Sequence, residues 1–416
     1  MNTQYYIERR KRLADGMADN SFYFVCSGCL IESTDDANYI FQPYRNFVYM
    51  TGLKDADATL VIAKVGGKVT ETLFMHIPDE HELRWMGTRF DADTIKEKTG
   101  VANLVPNENW DSYISRLLFR NDVQTVYMDM ARWDMNYAAN EAQKRANRLK
   151  EIYPYLNIKN AYHTICKMRT IKDAAEIEAH RKAAAITEEA VKNLMSNMQP
   201  GMTESHMEAY YDFVLKKHGC KFPAFTTIAA AGKNACIMHY VDNDTVAQDG
   251  DLVLFDLGAQ WDLYCTDVSR TFPANGRFTE RQKQLYNIVL KGLEVAESLS
   301  KPGQLKNELQ QISKKVMAEE LVKIGMIEKE EDIMKYYFHG SGHFIGLDVH
   351  DVGDCADMVL EENMMFTLEP GLYFDEEKIG IRIEDTILIT KDGCDVLSGG
   401  IPKTVEEIEE FMNRGK

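Results

Sequence analysis

The sequence predicts an α/β segment over residues 1–165 followed by a larger α+β region over residues 166–416, and three observations carry that prediction. Strand-like and helical runs alternate in the first part. Two helices, the first with a capping-box signal, open the second part. After them come apolar runs spaced like hairpins, interrupted by two more helices. A chain of 416 residues with 45% hydrophobic and 27% charged positions has the material for two or three such domains.

In order along the chain, Thr59–Val65 (TLVIAKV) reads as a buried strand, Gly66-Gly67 as its turn and Thr70–His76 as the returning strand. A further strand is expected within Asn121–Met130, and a helix over Tyr137–Tyr153 that stops at Pro154. Asp173 followed by Glu176 has the spacing of a capping box. The Ala-rich helix behind it is expected to run to about Met198 and to end at Pro200-Gly201. A second helix begins near Thr203 and stops at Gly219. Strands are then expected at Leu252–Leu257, Cys265–Phe272, Met364–Leu368 and Ile379–Ile389, with helices at Glu280–Leu299 and Leu305–Ile324.

Charge excludes some functions. Lys and Arg total 48 against 65 Asp and Glu, a net charge of −17. That balance disfavours nucleic acid or an anionic membrane as the main partner, because phosphate binding needs clustered positive charge. It is compatible with cations held by carboxylates. No run reaches the roughly 18–20 apolar residues of a membrane helix. The opening MNTQYYIERRKRLADGM has basic residues with no apolar stretch behind them, so no secretory signal is expected. Eight scattered cysteines suggest a reducing compartment, the cytoplasm. Cys26-Ser-Gly-Cys29 has no second pair and reads as incidental thiols.

The chemistry is concentrated in three places. Asp256 lies inside an apolar strand, where an unpaired carboxylate is costly, and Asp267 lies eleven residues on in a second β-like run. A hairpin with Trp261-Asp262 at its tip sets 256 opposite 267. Glu369 (FTLEPGLYF) and Glu384 (GIRIEDTILI) repeat the pattern about the polar loop 375–378, and period-2 alternation puts Arg382 on the face of Glu384. Facing carboxylates repel unless a cation or a shared proton lies between them. The third place is HGSGHFIGLDVHD, with His339, His343 and His350 among glycines. Those glycines argue against a two-histidine zinc helix, and Gly340, Gly342 and Gly346 miss the dinucleotide-binding spacing by one residue. His239 in CIMHY, taken alone, reads as structural; His76, His81, His163, His180, His206 and His218 receive no role. Four carboxylates and an imidazole suit two divalent cations better than one zinc, and a two-metal site is suited to hydrolysis.

At this point the chain resembles a known family. NACIMHY, VLFDLGA, CTDVSRTFPANGRFT, HGSGHFIGLDVHDVGD, TLEPGLYF and GIRIEDT occur in the order seen in the pita-bread metallopeptidases, in the Xaa-Pro aminopeptidase (aminopeptidase P) branch. The resemblance implies a pita-bread catalytic domain at 166–416 behind a smaller N-terminal domain at 1–165. It implies two divalent ions, usually manganese, with cobalt or zinc as alternatives. Asp267 and Glu384 bridge both in that picture; Asp256 serves one ion, and His343 with Glu369 the other. His239 and His350 contact the scissile carbonyl, Glu369 handles the proton, and a hydroxide between the ions attacks. His339, Tyr373 and Arg382 line the pocket. The substrates implied are peptides with proline second.

RNFVYMTGL and RWMGTRF carry the resemblance in the first domain, with Asn46 where relatives commonly have aspartate. Trp85 matches a tryptophan that relatives insert into a neighbouring subunit, so a homodimer or higher homo-oligomer is expected. A dipeptide-only prolidase with the same ligands is the nearest alternative. A peptide-binding module without catalysis is a remote one, since all five ligand positions are filled.

Overall fold

A computed structural model describes residues 2–86, 91–131, 134–340, 342–353 and 358–414. The chain divides into two compact units, Met1–Arg169 and Thr170–Lys416.

The first unit is built on a mixed six-stranded sheet in the order Asn103–Pro106, Lys68–Met75, Thr59–Val65, Ser21–Cys26, Thr125–Met128, Asn157–Asn160. The hairpin expected around Gly66-Gly67 is present, with Val65 opposite Lys68 and both glycines at positive φ. Phe22, Phe24, Val61, Phe74, Val126 and Met128 form its core with Leu118 and Leu149 from two helices. The helix expected from Tyr137 instead begins at Glu141. Asn140 accepts from the Gln143 backbone and Gln143 answers it, so the cap fixes the start where composition alone could not. Asn46 is fully buried. Its amide donates to the Asp129 carboxylate and accepts from Arg169 Nη1 at 2.7 Å. An amide can do both at once, and a carboxylate cannot.

In the second unit the Asp173–Glu176 capping box starts the helix Ala174–Asn197, and Thr203 caps Glu204–Lys217. With Glu280–Leu299 and Lys306–Lys323 these helices contribute to one large core around Phe255, Leu257, Val268, Phe366 and Ile387. Leu252–Leu257 lies between Val268–Pro273 and Ile228–Ala231 in one sheet. Met365–Leu368, Asp385–Ile389 and Cys394–Val396 form a second sheet, and Gly371–Phe374 pairs with Ile379–Arg382.

Two strands expected to be continuous are broken where the chemistry lies. Cys265–Phe272 splits into Tyr264–Cys265 and Val268–Pro273, leaving Thr266 and Asp267 outside the ladder. Ile379–Ile389 splits at Ile383 and Glu384, opposite Glu369-Pro370. Proline lacks the N–H needed to continue the ladder, and Ile383 N–H donates instead to the Pro370 carbonyl at 3.2 Å.

The first hairpin also differs in register. Asp256 pairs with Ser269, not Asp267, because the two-residue turn is Asp262-Leu263, both at positive φ, rather than Trp261-Asp262. Moving the turn by one residue moves the pairing by two. Side-chain faces are therefore kept, and Asp256 still acts on Asp267 directly.

Candidate metal centre

Asp256, Asp267, His343, Glu369 and Glu384 come from three places in the second unit, the two hairpins and the glycine-rich segment around His343. Thr386 holds the break at Asp267 from the other hairpin: its hydroxyl accepts from Asp267 N–H at 3.1 Å and donates to the Asp267 carbonyl at 2.8 Å. Glu384 N–H reciprocates by donating to the Ser269 carbonyl at 3.0 Å. The two breaks are thus stitched together, and the freed side chains share one buried centre.

Ligand atoms of Asp267, His343 and Glu384 lie within 4.8 Å of one another. His343 Nε2 is 3.3 Å from Asp267 Oδ2 and 3.9 Å from Glu369 Oε1. Its Nδ1 faces the Phe344 carbonyl at 3.1 Å, which leaves Nε2 for the centre. Close backbone approach places this imidazole. Gly342 has φ +143°, and a Cβ there would sit 1.8 Å from the Thr367 carbonyl oxygen. Lys306 Nζ donates to the Gly342 carbonyl at 2.5 Å.

Arg382 organises the opposite wall. It donates to Asp256 Oδ2 at 2.7 Å, to Ser269 Oγ at 2.7 Å and to Tyr373 Oη at 3.0 Å. Ser269 Oγ donates in turn to Glu384 Oε2 at 2.8 Å, and Tyr373 Oη meets His339 Nε2 at 2.8 Å. Asp256 and Glu384 each have one oxygen held by the protein. Their others, Asp256 Oδ1 and Glu384 Oε1, are buried without a hydrogen-bond partner, as is Asp267 Oδ1.

Burial holds the Asp267 carboxyl well above the usual range, with Asp256 and Glu369 adding repulsion. Burial does the same for Glu384, reinforced by Asp267, Glu369 and Asp256. Glu369 is raised by burial, against opposition from His343 and Arg382. Orphaned oxygens and mutually raised carboxyls mark a site that lacks positive charge. An all-oxygen set plus one imidazole is the donor chemistry of hard or borderline divalent ions, so these residues fit them.

The other expected residues of the second unit range from buried to exposed. His350 stands at the surface with its ring 4.2 Å from that of His343; the partial desolvation on that side, then the charges of His343 and His239, lowers its pKa. His239 is exposed, close enough to His350 to bear on it electrostatically. His339 is pushed down to about 4 by burial and Arg382, and burial lifts Tyr373 to about 12. Trp85 is 77% exposed on the helix Glu80–Met86 of the first unit, its ring 5.7 Å from His81. Gly87–Phe90 of the RWMGTRF motif, Ser341, Asp354 and Cys355 lie outside the described residues.

Sequence reasoning passed over Ser269, Thr386, Thr367 and Lys306. Ser269 and Thr386 each stand two residues beyond a named carboxylate, so the same period-2 argument could have found them. Lys306 carried no signal.

This architecture and carboxylate-rich centre define a class, the pita-bread metallopeptidases. Residues 178–391 match the model of metallopeptidase family M24, and residues 6–127 match that of the aminopeptidase P N-terminal domain. The chain belongs to metallopeptidase family M24, whose members depend on divalent metal ions. Within the family it is of the Xaa-Pro aminopeptidase type. It is 32% identical to the Xaa-Pro aminopeptidase of Escherichia coli, over 99% of this chain and 98% of that protein. The structure of the zinc-substituted E. coli aminopeptidase P in complex with product superposes with a TM-score of 0.92 at 31% identity, covering 100% and 99% of the two chains. A chain from Bacillus anthracis, provisionally described as an aminopeptidase P, superposes with a TM-score of 0.97 at 42% identity, over 100% and 99%.

Proposed function

We propose that this metal-dependent aminopeptidase removes the N-terminal residue of peptides whose second residue is proline, using two divalent ions held by Asp256, Asp267, His343, Glu369 and Glu384. The supporting observation is the set of three buried carboxylate oxygens without partners, each on a residue whose backbone or second oxygen is fixed. Asp267 and Glu384, the most buried of the five, would be shared by the ions, with Asp256, His343 and Glu369 completing the donor set. Manganese is the proposed native ion. Bound there, the ions supply Lewis acidity and acidify water near neutral pH.

The chain's own groups do the rest. Arg382 orients the Asp256 carboxylate and ties it to Tyr373. Glu369, half-buried and with its pKa raised by desolvation, can accept and return a proton at its carboxylate. His350, its pKa lowered, and His239, both exposed, are assigned to hydrogen-bond the carbonyl oxygen of the first residue and steady charge developing there. Proline suits a pocket lined by His339 and Tyr373, because its nitrogen brings no N–H that would need an acceptor.

In this reading residues 166–416 carry the catalysis. The exposed Trp85 of residues 1–165 reaches a second copy in a homodimer or larger assembly, and the enzyme works in the cytoplasm. Among the described residues no helix is long and apolar enough to cross a membrane. The test compares Xaa-Pro with Xaa-Pro-Yaa peptides, with and without manganese. Metal-dependent release of the first residue from the longer peptides is expected. Cleavage of dipeptides alone would replace the reading with a prolidase, and no cleavage with metal bound would overturn it.

A further inference from the structure

We propose that Glu204 is a positioning residue for His239, its buried carboxylate tying down both ends of the loop that carries that imidazole. The inference rests on the role given to His239 above. His239 follows the 3-10 turn Gly232–Cys236, and its ring is exposed. Packing around the ring therefore cannot fix its direction, and the loop backbone must.

Glu204, the first residue of the helix Glu204–Lys217, is fully buried and accepts four hydrogen bonds. On the near side of His239, Ala231 N–H donates to Oε1 at 2.6 Å and Asn234 Nδ2 donates to the same oxygen at 3.0 Å. On the far side, the hydroxyl of Tyr240 donates to Oε2 at 2.8 Å and Thr245 N–H at 2.9 Å. The helix start answers in kind. Its N–H groups lack partners within the helix, so those of Glu204 and Ser205 donate to the carbonyls of Thr245 and Asn243 at 2.9 and 2.7 Å. Asn243, held at φ +50°, fastens the loop to the sheet by accepting from Ala229 N–H and donating to the Thr227 carbonyl.

Only a carboxylate can take all four donors. A glutamine has one acceptor oxygen, and its NH₂ would face two donors. Tyr240 is the neighbour of His239, so anchoring its side chain fixes the backbone one peptide unit from the imidazole's own Cα.

The test is a double-mutant cycle on the full-length, metal-loaded enzyme with an Xaa-Pro-Yaa peptide. It uses E204Q and the milder Y240F, each in the wild-type and H239A backgrounds, with metal content measured throughout. If Glu204 acts through His239, E204Q lowers kcat/KM about tenfold or more, chiefly in kcat, and less than about twofold once His239 is gone. Y240F moves the same way by a smaller factor, with metal content unchanged. Equal losses in both backgrounds, or no loss from either variant, would overturn the proposal. Should E204Q fail to fold, Y240F decides by the same comparison. Wild-type activity in H239A would overturn the role of His239 itself, and this inference with it.

Discussion

Asp129 in the first unit and Asp267 in the second are both buried aspartates, at 2% and 5% exposure, but their surroundings differ in kind. Both oxygens of Asp129 are satisfied, one by the Tyr44 hydroxyl at 2.7 Å and one by the Asn46 amide. Burial raises its pKa, and those two bonds work against the rise. Around Asp267 the largest influences after burial are other carboxylates, and Oδ1 has no donor. A carboxylate that ends its network is structural. One that shares its network's deficit with three others fits the cation site proposed for it.

Altering the second kind has the largest effect. E384Q or D267N is expected to cut metal-dependent peptide hydrolysis on the order of 10³-fold, read as kcat/KM at saturating manganese. Undiminished activity in either would collapse the distinction.

A buried base extends the contrast. His180 is fully buried in the helix Ala174–Asn197, with Nδ1 2.6 Å from the Cys265 carbonyl and Nε2 unpartnered. Burial, then Lys172, pushes it down to about 3. Below the ordinary imidazole range the unfolded chain binds the proton and the folded chain resists it. Stability is therefore complete above about pH 6.5 and is lost as pH falls toward 3, about 5 kcal/mol over the whole window. Denaturant unfolding from pH 7 to pH 4 should show this slope, and H180Q should flatten it. Equal slopes in the two proteins would remove His180 as its source.

The smallest effects should have opposite signs. In the metal-free protein D129N loses stability by about 1–3 kcal/mol, because its new NH₂ faces a donor. D267N relieves repulsion there and leaves the melting temperature unchanged or raised. Parallel losses would mean that both aspartates are structural.

Much of this was legible in sequence because it is local. The apolar run Leu252–Leu257 and the periodic helix Glu280–Leu299 have the expected bounds, and the Asp173–Glu176 spacing produced the cap it signals. The hairpin centred in residues 375–378 brings Glu369 opposite Glu384, since the flanking pairs Leu368–Asp385 and Gly371–Arg382 share one register. The first hairpin was misread because its turn puts Leu263 at φ +72°, a conformation unusual for a bulky side chain. His180 looked like an ordinary helical histidine, and only packing against Tyr264 and the Cys265 carbonyl shows otherwise. Lys306 and Glu204 act across long sequence separations, where no spacing rule reaches.

Calorimetric titration of manganese into the metal-free chain tests the central claim most directly. Saturable binding of two ions per chain is expected for the wild type, with loss of that binding in E384Q. A wild-type chain that takes up no divalent ion, or an E384Q chain that binds as the wild type does, would contradict it.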